Sequence, residues 1–121
     1  MIQPSWGNSA GNIVASAPDM LRFWQALLTA KLLSDDNTRR MFERLYPMFD
    51  PGTFYGRGVM LYAFEDQGVS TVWLGHSGGA PGAKAVVAYA PSIQAMVAVA
   101  LTGEGSAEAT ANLLLKQLAT D

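Results

Sequence analysis

The chain has 121 residues, half of them apolar and 15% charged, with a formal net charge of −2 and no cysteine. This composition is typical of one globular domain, residues 1–121, with a modest core, and it excludes intrinsic disorder. The small net charge offers no electrostatic footprint for nucleic acid or for an anionic membrane surface. Without cysteine there are no disulfides or thiolate metal sites, and a single histidine with no dense carboxylate cluster predicts no metal and no other cofactor.

Targeting signals are not recognised in the sequence. No apolar run reaches the roughly 18 residues that a membrane-spanning helix needs, so no membrane span is expected. The first residues, 1–6, show no charged segment followed by an apolar one, so no signal peptide is expected either. These patterns leave the localisation open.

The first predicted element is an amphipathic helix. Residues 1–15 are rich in glycine, asparagine and serine, which is typical of a loop. Ser16 and Asp19 have the spacing of a capping box, so a helix is expected to begin there and to end near Lys31. The apolar residues that follow recur at helical spacing, at Met20, Trp24, Leu27 and Leu28.

A second, shorter helix and a loop lead to a run of strands. The helix is predicted from Ser34 to Leu45 and is stopped by Pro47. Residues 47–54 are rich in proline and glycine and are predicted to be a loop. From Tyr55 the apolar period becomes two, which indicates β-structure. Four strands are predicted, around residues 59–64, 69–75, 84–90 and 95–102.

The end of the sheet and a last helix complete the predicted fold. Residues 78–82 are expected to be a loop, and the two strands after them are so apolar that both of their faces should be covered. Ser106 is expected to cap a C-terminal helix. The apolar stripe of that helix should lie on the sheet and consists of Ala107, Ala111, Leu114, Leu115 and Leu118. The predicted class is α+β, an antiparallel sheet of about four strands with two helices before it and a C-terminal helix packed on it.

One stretch concentrates the residues that could carry chemistry. Residues 75–82, Gly-His-Ser-Gly-Gly-Ala-Pro-Gly, contain four glycines and the only histidine of the chain. It is either an ordinary glycine-rich connection between strands or a strand edge whose free N–H groups line a site. His76 is not expected to serve as a base for Ser77, because neighbouring strand residues point to opposite faces.

Several stretches in a fixed order carry a resemblance to a known family. They are Ala10–Met20, Phe23–Leu28, Tyr55–Val59, Gly75–Gly82, Ala88–Pro91 and Val97–Thr102. In this order and spacing the chain resembles the serine β-lactamase and penicillin-binding-protein-like superfamily, in its class C, D-alanyl-D-alanine carboxypeptidase and esterase branch. The resemblance extends over residues 10–102 and corresponds to the C-terminal part of the family's domain.

The resemblance implies an active site of which this sequence holds one part. In the family, a Ser-x-x-Lys motif, a Tyr-x-Asn motif and a third box on a strand meet in one cleft, and neither of the first two motifs occurs here. By resemblance, His76 would hydrogen-bond near the nucleophile, Ser77 would face the substrate and Gly78 would keep the cleft open. Gly79 would donate its N–H to the oxyanion. The implied parent enzyme hydrolyses an amide or ester through an acyl-enzyme, with a small peptide, a β-lactam or an ester as substrate and no cofactor.

Three interpretations follow from this partial site. The first is a C-terminal fragment of such a hydrolase, inactive alone, whose relatives are often periplasmic or secreted. The second is a non-catalytic binding or interaction module, and the third is a small complete hydrolase that uses His76 with a non-adjacent serine. The near-continuous apolar character of residues 85–101 also predicts a free, apolar sheet edge. We therefore expect a homo-oligomer, with a dimer as the first choice, formed by edge pairing or by exchange of an element.

Overall fold

A computed structural model describes residues 7–66 and 69–121 of the chain. The six strands form one antiparallel sheet in which each strand pairs with its neighbours in sequence, in the order β1-β2-β3-β4-β5-β6. In chain order the elements are α1 (Asn8–Gly11), α2 (Ala17–Leu28), α3 (Asp35–Arg40), β1 (Tyr46–Pro47), β2 (Thr53–Tyr55), β3 (Met60–Asp66), β4 (Val69–Ala80), β5 (Ala83–Ala90), β6 (Ala95–Thr102) and α4 (Ala107–Thr120). The predicted α+β class and C-terminal helix are confirmed, whereas the described residues contain six strands rather than four.

The extra strands and the length of β4 correct the sequence prediction. The stretch 47–54, predicted as a loop, contributes most of β1 and β2, which pair with each other and extend the sheet beyond β3. The glycines predicted to open the loop 78–82 lie inside β4, because β4 and β5 stay paired up to Ala80 and Ala83. The turn is reduced to Pro81 and Gly82, and the positive φ of Gly82, 77°, suits glycine.

The helices begin largely where their caps predict but end earlier. Ser16 caps α2 in the predicted capping box, and α2 ends at Leu28 rather than near Lys31. α3 ends at Arg40 rather than Leu45, because the next residues form tighter bonds three positions apart. The short helix α1 lies where residues 1–15 were predicted to be loop, although residues 1–6 lie outside the described part.

Replacing Ser16 with alanine is expected to lower the free energy of unfolding by about 1 kcal/mol. The Ser16 hydroxyl accepts from the Asp19 N–H at 3.2 Å, and its own hydrogen bond to the Asp19 carboxylate helps to lower the pKa of that group. In the alanine variant, the Asp19 N–H and the Asp19 carboxylate lose their hydrogen bonds with the Ser16 hydroxyl and are hydrated instead. Urea unfolding measures the effect, and Ser16→Asn, which also caps helices, is the control. Equal losses in the two variants would contradict a capping role.

The sheet is covered on both faces, as predicted for its apolar strands. One cluster of buried side chains joins the sheet to α4, and the other joins it to α2. Successive side chains of β5 point to opposite faces of the sheet, so Val86 packs in the α4 cluster and Val87 packs in the α2 cluster. We call these two sides of the sheet the α4 face and the α2 face.

The apolar stripe of α4 is only partly buried. Ala107, Ala111 and Leu115 lie in the core, as predicted. Leu114 and Leu118 are 44% and 47% exposed, so the prediction that the whole stripe lies on the sheet is wrong for these two residues. The apolar stripe of α4 is therefore wider than the part of the helix surface that contacts the sheet.

The tryptophans that the structure describes are core residues. Trp24 and Trp73 are 5% and 4% exposed and belong to the α2 and α4 clusters respectively. This agrees with the usual role of large aromatic side chains. Trp6 lies outside the described residues. Among the helices of the described part, none combines the length and the apolar character required to cross a membrane.

Candidate functional site

The candidate stretch lies on β4, where that strand extends past the end of β3. The last pair between the two strands is Met60 with Gly75, whereas pairing with β5 continues to the end of β4. The residues after Gly75 therefore have a strand partner on one side only. We call this part of β4, residues 76–80, the free β4 edge.

The N–H groups of alternate residues point to this free side. The Ser77 N–H is directed at the Met60 sulfur, 3.5 Å away. Ala80 and Ala83 close the two-residue turn, so Gly79 occupies a position that makes no ladder bond with β5. Its N–H therefore has the same direction as that of Ser77. The free β4 edge presents backbone donors of the kind that stabilise an oxyanion.

The His76 ring is held by two polar contacts at this edge. Nδ1 lies 2.7 Å from the Ser77 carbonyl oxygen, and Nε2 lies 3.1 Å from the Tyr55 hydroxyl. A carbonyl only accepts, so Nδ1 carries a hydrogen, and Nε2 of the neutral ring accepts from Tyr55. The Tyr55 and His76 rings also meet edge to face, with centroids 5.5 Å apart. The imidazole is thereby fixed in one tautomer and one orientation.

Ser77 has different surroundings from those of its neighbour. It pairs with Val86 on the α4 face, whereas His76 pairs with Val87 on the α2 face. The Ser77 hydroxyl accepts a hydrogen bond of 2.8 Å from the hydroxyl of Tyr62. The contact between His76 and Ser77 is to the carbonyl oxygen, not to Oγ. The sequence argument against a His76–Ser77 catalytic pair is consistent with this geometry.

The glycines of the stretch differ in the space around them. A Cβ added at Gly78 would meet nothing within 4 Å, and one at Gly79 would meet only ordinary contacts with Lys84 and Ala83. A Cβ at Gly75 would lie 1.9 Å from the Val87 carbonyl oxygen. Gly75 is therefore required by packing between strands, while Gly78 and Gly79 border open space beside the edge.

Tyr62 is the titratable group of the site with the largest shift. Burial, together with the charges of Glu108 and Asp50, raises its pKa from 10.0 to about 12, although the hydrogen bond with Ser77 acts in the opposite direction. The phenol therefore stays protonated at neutral pH and acts as a donor toward Ser77. It cannot serve as a base that activates the Ser77 hydroxyl.

The raised pKa of Tyr62 predicts a pH-dependent stability. The folded chain holds the phenolic proton more tightly than the unfolded chain, so this stabilisation is complete below pH 10 and is lost as the pH rises toward 12. Between about pH 9 and about pH 11 the wild type is expected to lose about 1 kcal/mol more than Tyr62→Phe. Urea unfolding at both pH values tests this, with Tyr46→Phe, an exposed tyrosine, as the control. Equal losses in wild type and Tyr62→Phe would refute the assignment.

Sequence reasoning missed the aromatic partners of the site. The sequence places Tyr55 only in a stretch that resembles a family strand start, and it places Met60 and Tyr62 only in a strand. Alternation puts Met60 and Tyr62 on one face, but their contacts with Ser77 depend on the register of β3 against β4. The described residues hold no group of three or more His, Asp or Glu side chains placed to bind a metal ion.

Comparisons with known proteins identify one family and two similar folds. A sequence model of the Beta-lactamase family matches residues 2–120. The fold is similar to the crystal structure of a penicillin-binding protein from Bacillus halodurans, with a TM-score of 0.68 and 21% identity over 85% of this chain and 31% of that chain. It is also similar to D-amino acid amidase from Ochrobactrum anthropi SV3, crystallised with D-phenylalanine, with a TM-score of 0.73 and 22% identity over 98% of this chain and 40% of that one.

These comparisons fix the family and the fold. No curated protein sequence matches the chain. The chain spans less than half the length of either solved structure, and at such identities the two likenesses establish a shared fold. The family match covers nearly every residue, including the whole free β4 edge. The chain therefore belongs to the Beta-lactamase family.

Proposed function

We propose that this chain is the C-terminal part of a serine hydrolase domain and that the free β4 edge forms one wall of its acyl-transfer site. The observation that carries the proposal is the joint placement of the Gly79 N–H and the fixed His76 ring on a strand edge that is otherwise unpaired. The Beta-lactamase family match supports it. The nucleophile would come from sequence outside these 121 residues, since no Ser-x-x-Lys occurs in them.

The chemistry at this wall is the stabilisation of a tetrahedral intermediate. A serine oxygen attacks the carbonyl carbon of an ester or amide, and the carbonyl oxygen becomes an oxyanion that accepts from the Gly79 N–H. Collapse expels an alcohol or amine and leaves an acyl-serine, which water then hydrolyses to a carboxylic acid and free serine. One such donor is worth about 2.7–4 kcal/mol of transition-state stabilisation.

His76 and Tyr55 have distinct roles in this proposal. The Nε2 atom of His76 is the polar atom of the ring that faces away from the Ser77 carbonyl, so it would act near the nucleophile or the leaving group. Tyr55 is a positioning residue, because its hydroxyl contacts Nε2 and holds the ring in the orientation and tautomer that the Ser77 carbonyl sets. Neither group requires a metal or another cofactor for these roles.

The DNA upstream of the Met1 codon is the first test of the proposal. We expect an open reading frame that encodes Ser-x-x-Lys and then Tyr-x-Asn. The extended protein should hydrolyse p-nitrophenyl esters or a chromogenic β-lactam, whereas the 121-residue chain should not. Turnover by the short chain that His76→Ala abolishes would instead favour a small complete hydrolase.

Variants of the extended protein test the two roles separately. His76→Ala is expected to lower kcat/KM by about 10²- to 10⁴-fold. Tyr55→Phe removes one hydrogen bond and should cost up to about tenfold, mainly in kcat. Tyr46→Phe, which alters an exposed tyrosine, should leave turnover unchanged. Equal rates for wild type and His76→Ala would refute the assignment of His76.

Self-association is a second proposal, supported by the outer strand of the sheet. β6 is the last strand of the sheet and has no proline and no charge over its eight residues. The helix that lies over it, α4, leaves Leu114 and Leu118 about half exposed. We expect light scattering to give the mass of a dimer, and Ala100→Lys, a charge on an exposed position of β6, to give a monomer. A wild-type monomer at all concentrations would end this proposal.

A further inference from the structure

Three polar contacts meet at the sulfur of Met60, beside the free β4 edge. Met60 is the first residue of β3, and it pairs with Gly75 at the end of the β3–β4 ladder. Gly75 has no side chain, so the Met60 side chain extends past it to Ser77, the next β4 residue on the same face. Met60 is only 7% exposed. Its thioether is therefore a buried group that reaches from β3 onto the free β4 edge.

Two of the three contacts come from Ser77. The Ser77 N–H and the Ser77 hydroxyl each lie 3.5 Å from the Met60 sulfur. The Tyr62 hydroxyl is 3.1 Å from the sulfur but 2.8 Å from the Ser77 Oγ. Because oxygen is a stronger acceptor than a thioether, Tyr62 donates its one hydrogen to Ser77, and the Ser77 hydroxyl donates to the sulfur. Both donors of Ser77 therefore share one acceptor, which is Met60.

The N–H of Gly79 differs from that of Ser77 in this respect. The two N–H groups point to the same side of β4, because the residues are two positions apart on one strand. Among the described residues, no side chain accepts a hydrogen bond from the Gly79 N–H, whereas the Met60 sulfur accepts from that of Ser77. The free β4 edge thus presents one occupied donor and one open donor.

The spacing of the two donors decides what this difference means for a substrate. N–H groups two residues apart in a strand are separated by about 6.6 Å. A carbonyl that accepted from Ser77 instead of Gly79 would be displaced by that distance along the edge. Reacting atoms must approach to about 3–3.5 Å, so a nucleophile placed for one position cannot attack at the other. If both donors were open, a share of the substrate would bind where it does not react.

We propose that Met60 is a positioning residue that limits substrate carbonyls to one register on the free β4 edge. Its sulfur occupies the N–H and the hydroxyl of Ser77, so the carbonyl oxygen binds at Gly79. Met60 acts through Ser77 and does not contact the reacting atoms. The inference rests on the proposed hydrolase function for its catalytic meaning. The occupation of the Ser77 donors is a property of this chain alone.

Hydrogen exchange at single amides of the 121-residue chain tests the occupation of Ser77. Met60→Leu removes the sulfur at nearly constant volume, so we expect the Ser77 N–H to exchange about two- to tenfold faster while Gly79 keeps its wild-type rate. His76 and Gly78 should also keep theirs, because their N–H groups bond to β5. A rise at all four amides would show that Met60 only packs β3 against β4. Either that result or an unchanged rate at Ser77 would overturn the proposal.

Two further variants make the comparison specific. Met60→Gln keeps a long side chain with an acceptor oxygen and should return the exchange rate of Ser77 to within about twofold of wild type. Met96→Leu makes the same substitution on β6, in the α2 cluster, and should leave the Ser77 rate unchanged. Equal rates at Ser77 in Met60→Leu and Met60→Gln would refute the role of the acceptor.

Steady-state kinetics of the extended enzyme tests the register itself. Substrate held in an unreactive position lowers kcat and KM by the same factor. Two like donors should share the substrate about equally, so Met60→Leu is expected to lower both constants about twofold and to leave kcat/KM unchanged. Unaltered constants, or a fall in kcat/KM, would overturn the register role. An extended protein without activity would refute the proposed function and would not change the exchange result.

Discussion

Gly75→Ala is expected to destabilise the chain by at least about 3 kcal/mol, a large fraction of the roughly 5–15 kcal/mol that stabilises a typical domain. The new Cβ would lie 1.9 Å from the Val87 carbonyl oxygen and 2.8 Å from its carbon. These are backbone atoms of β5, so the overlap is relieved only if β4 and β5 separate. The β4–β5 ladder is central to the sheet and extends to the free β4 edge.

Gly78→Ala is the matched control, because it adds the same methyl group three residues further along β4. Nothing lies within 4 Å of its Cβ, so the free energy of unfolding should change by no more than about 0.5 kcal/mol. Urea unfolding of both variants, with circular dichroism as the signal, gives the comparison. Similar stabilities for the two variants would mean that Gly75 is not packed against β5 as described.

Gly78→Ala has a second use in the extended enzyme. If the open space beside Gly78 is the substrate cleft, the methyl group should raise KM or lower kcat while leaving stability intact. A stable variant with unaltered kinetics would place the substrate elsewhere.

Trp73→Ala is expected to cost about 3–5 kcal/mol, the range for removal of a large buried aromatic side chain. Trp73 is 4% exposed and belongs to the core cluster under α4. Its ring also contacts the rings of Tyr62 and Phe64, so its removal leaves both without an aromatic neighbour. Thermal and urea unfolding should both show the loss.

The control for Trp73 is the residue before it in β4. Val72 is 40% exposed and points to the opposite face of the sheet, so Val72→Ala should cost no more than about 1 kcal/mol. Comparable losses in the two variants would indicate that β4 pairs in a register shifted by one residue. The pair of variants therefore tests the register on which the placement of His76 and Ser77 depends.

Local patterns in the sequence predicted much of the fold. The caps at Ser16 and Ser106 depend on hydrogen bonds between residues three positions apart, and both are present. The strand Ala95–Thr102 follows from an apolar run bounded by turn residues, and β6 has these bounds. Alternation along a strand predicted that His76 and Ser77 point to opposite faces, which their partners on β5 bear out.

Pairing between distant segments decided what the patterns did not contain. The strands β1 and β2 form in a proline- and glycine-rich stretch because β3 supplies the hydrogen-bond partners of β2, and β2 in turn supplies those of β1. In the same way, β4 continues through Gly78 and Gly79 because β5 runs beside them. Neither extension has a local signal, since glycine and proline oppose strand formation unless a partner is present.

The candidate site shows the same division. The sequence by itself showed that residues 75–82 are unusual and, through resemblance, predicted that they are part of a hydrolase site. Only the tertiary structure decided that β3 begins at Met60, opposite Gly75, and so leaves the Gly79 N–H on a free edge. It also decided that Tyr55 holds His76 while Tyr62 holds Ser77. The physical reason is that capping and periodicity depend on near neighbours in sequence, whereas these contacts depend on strand register, which the packing of the whole sheet sets.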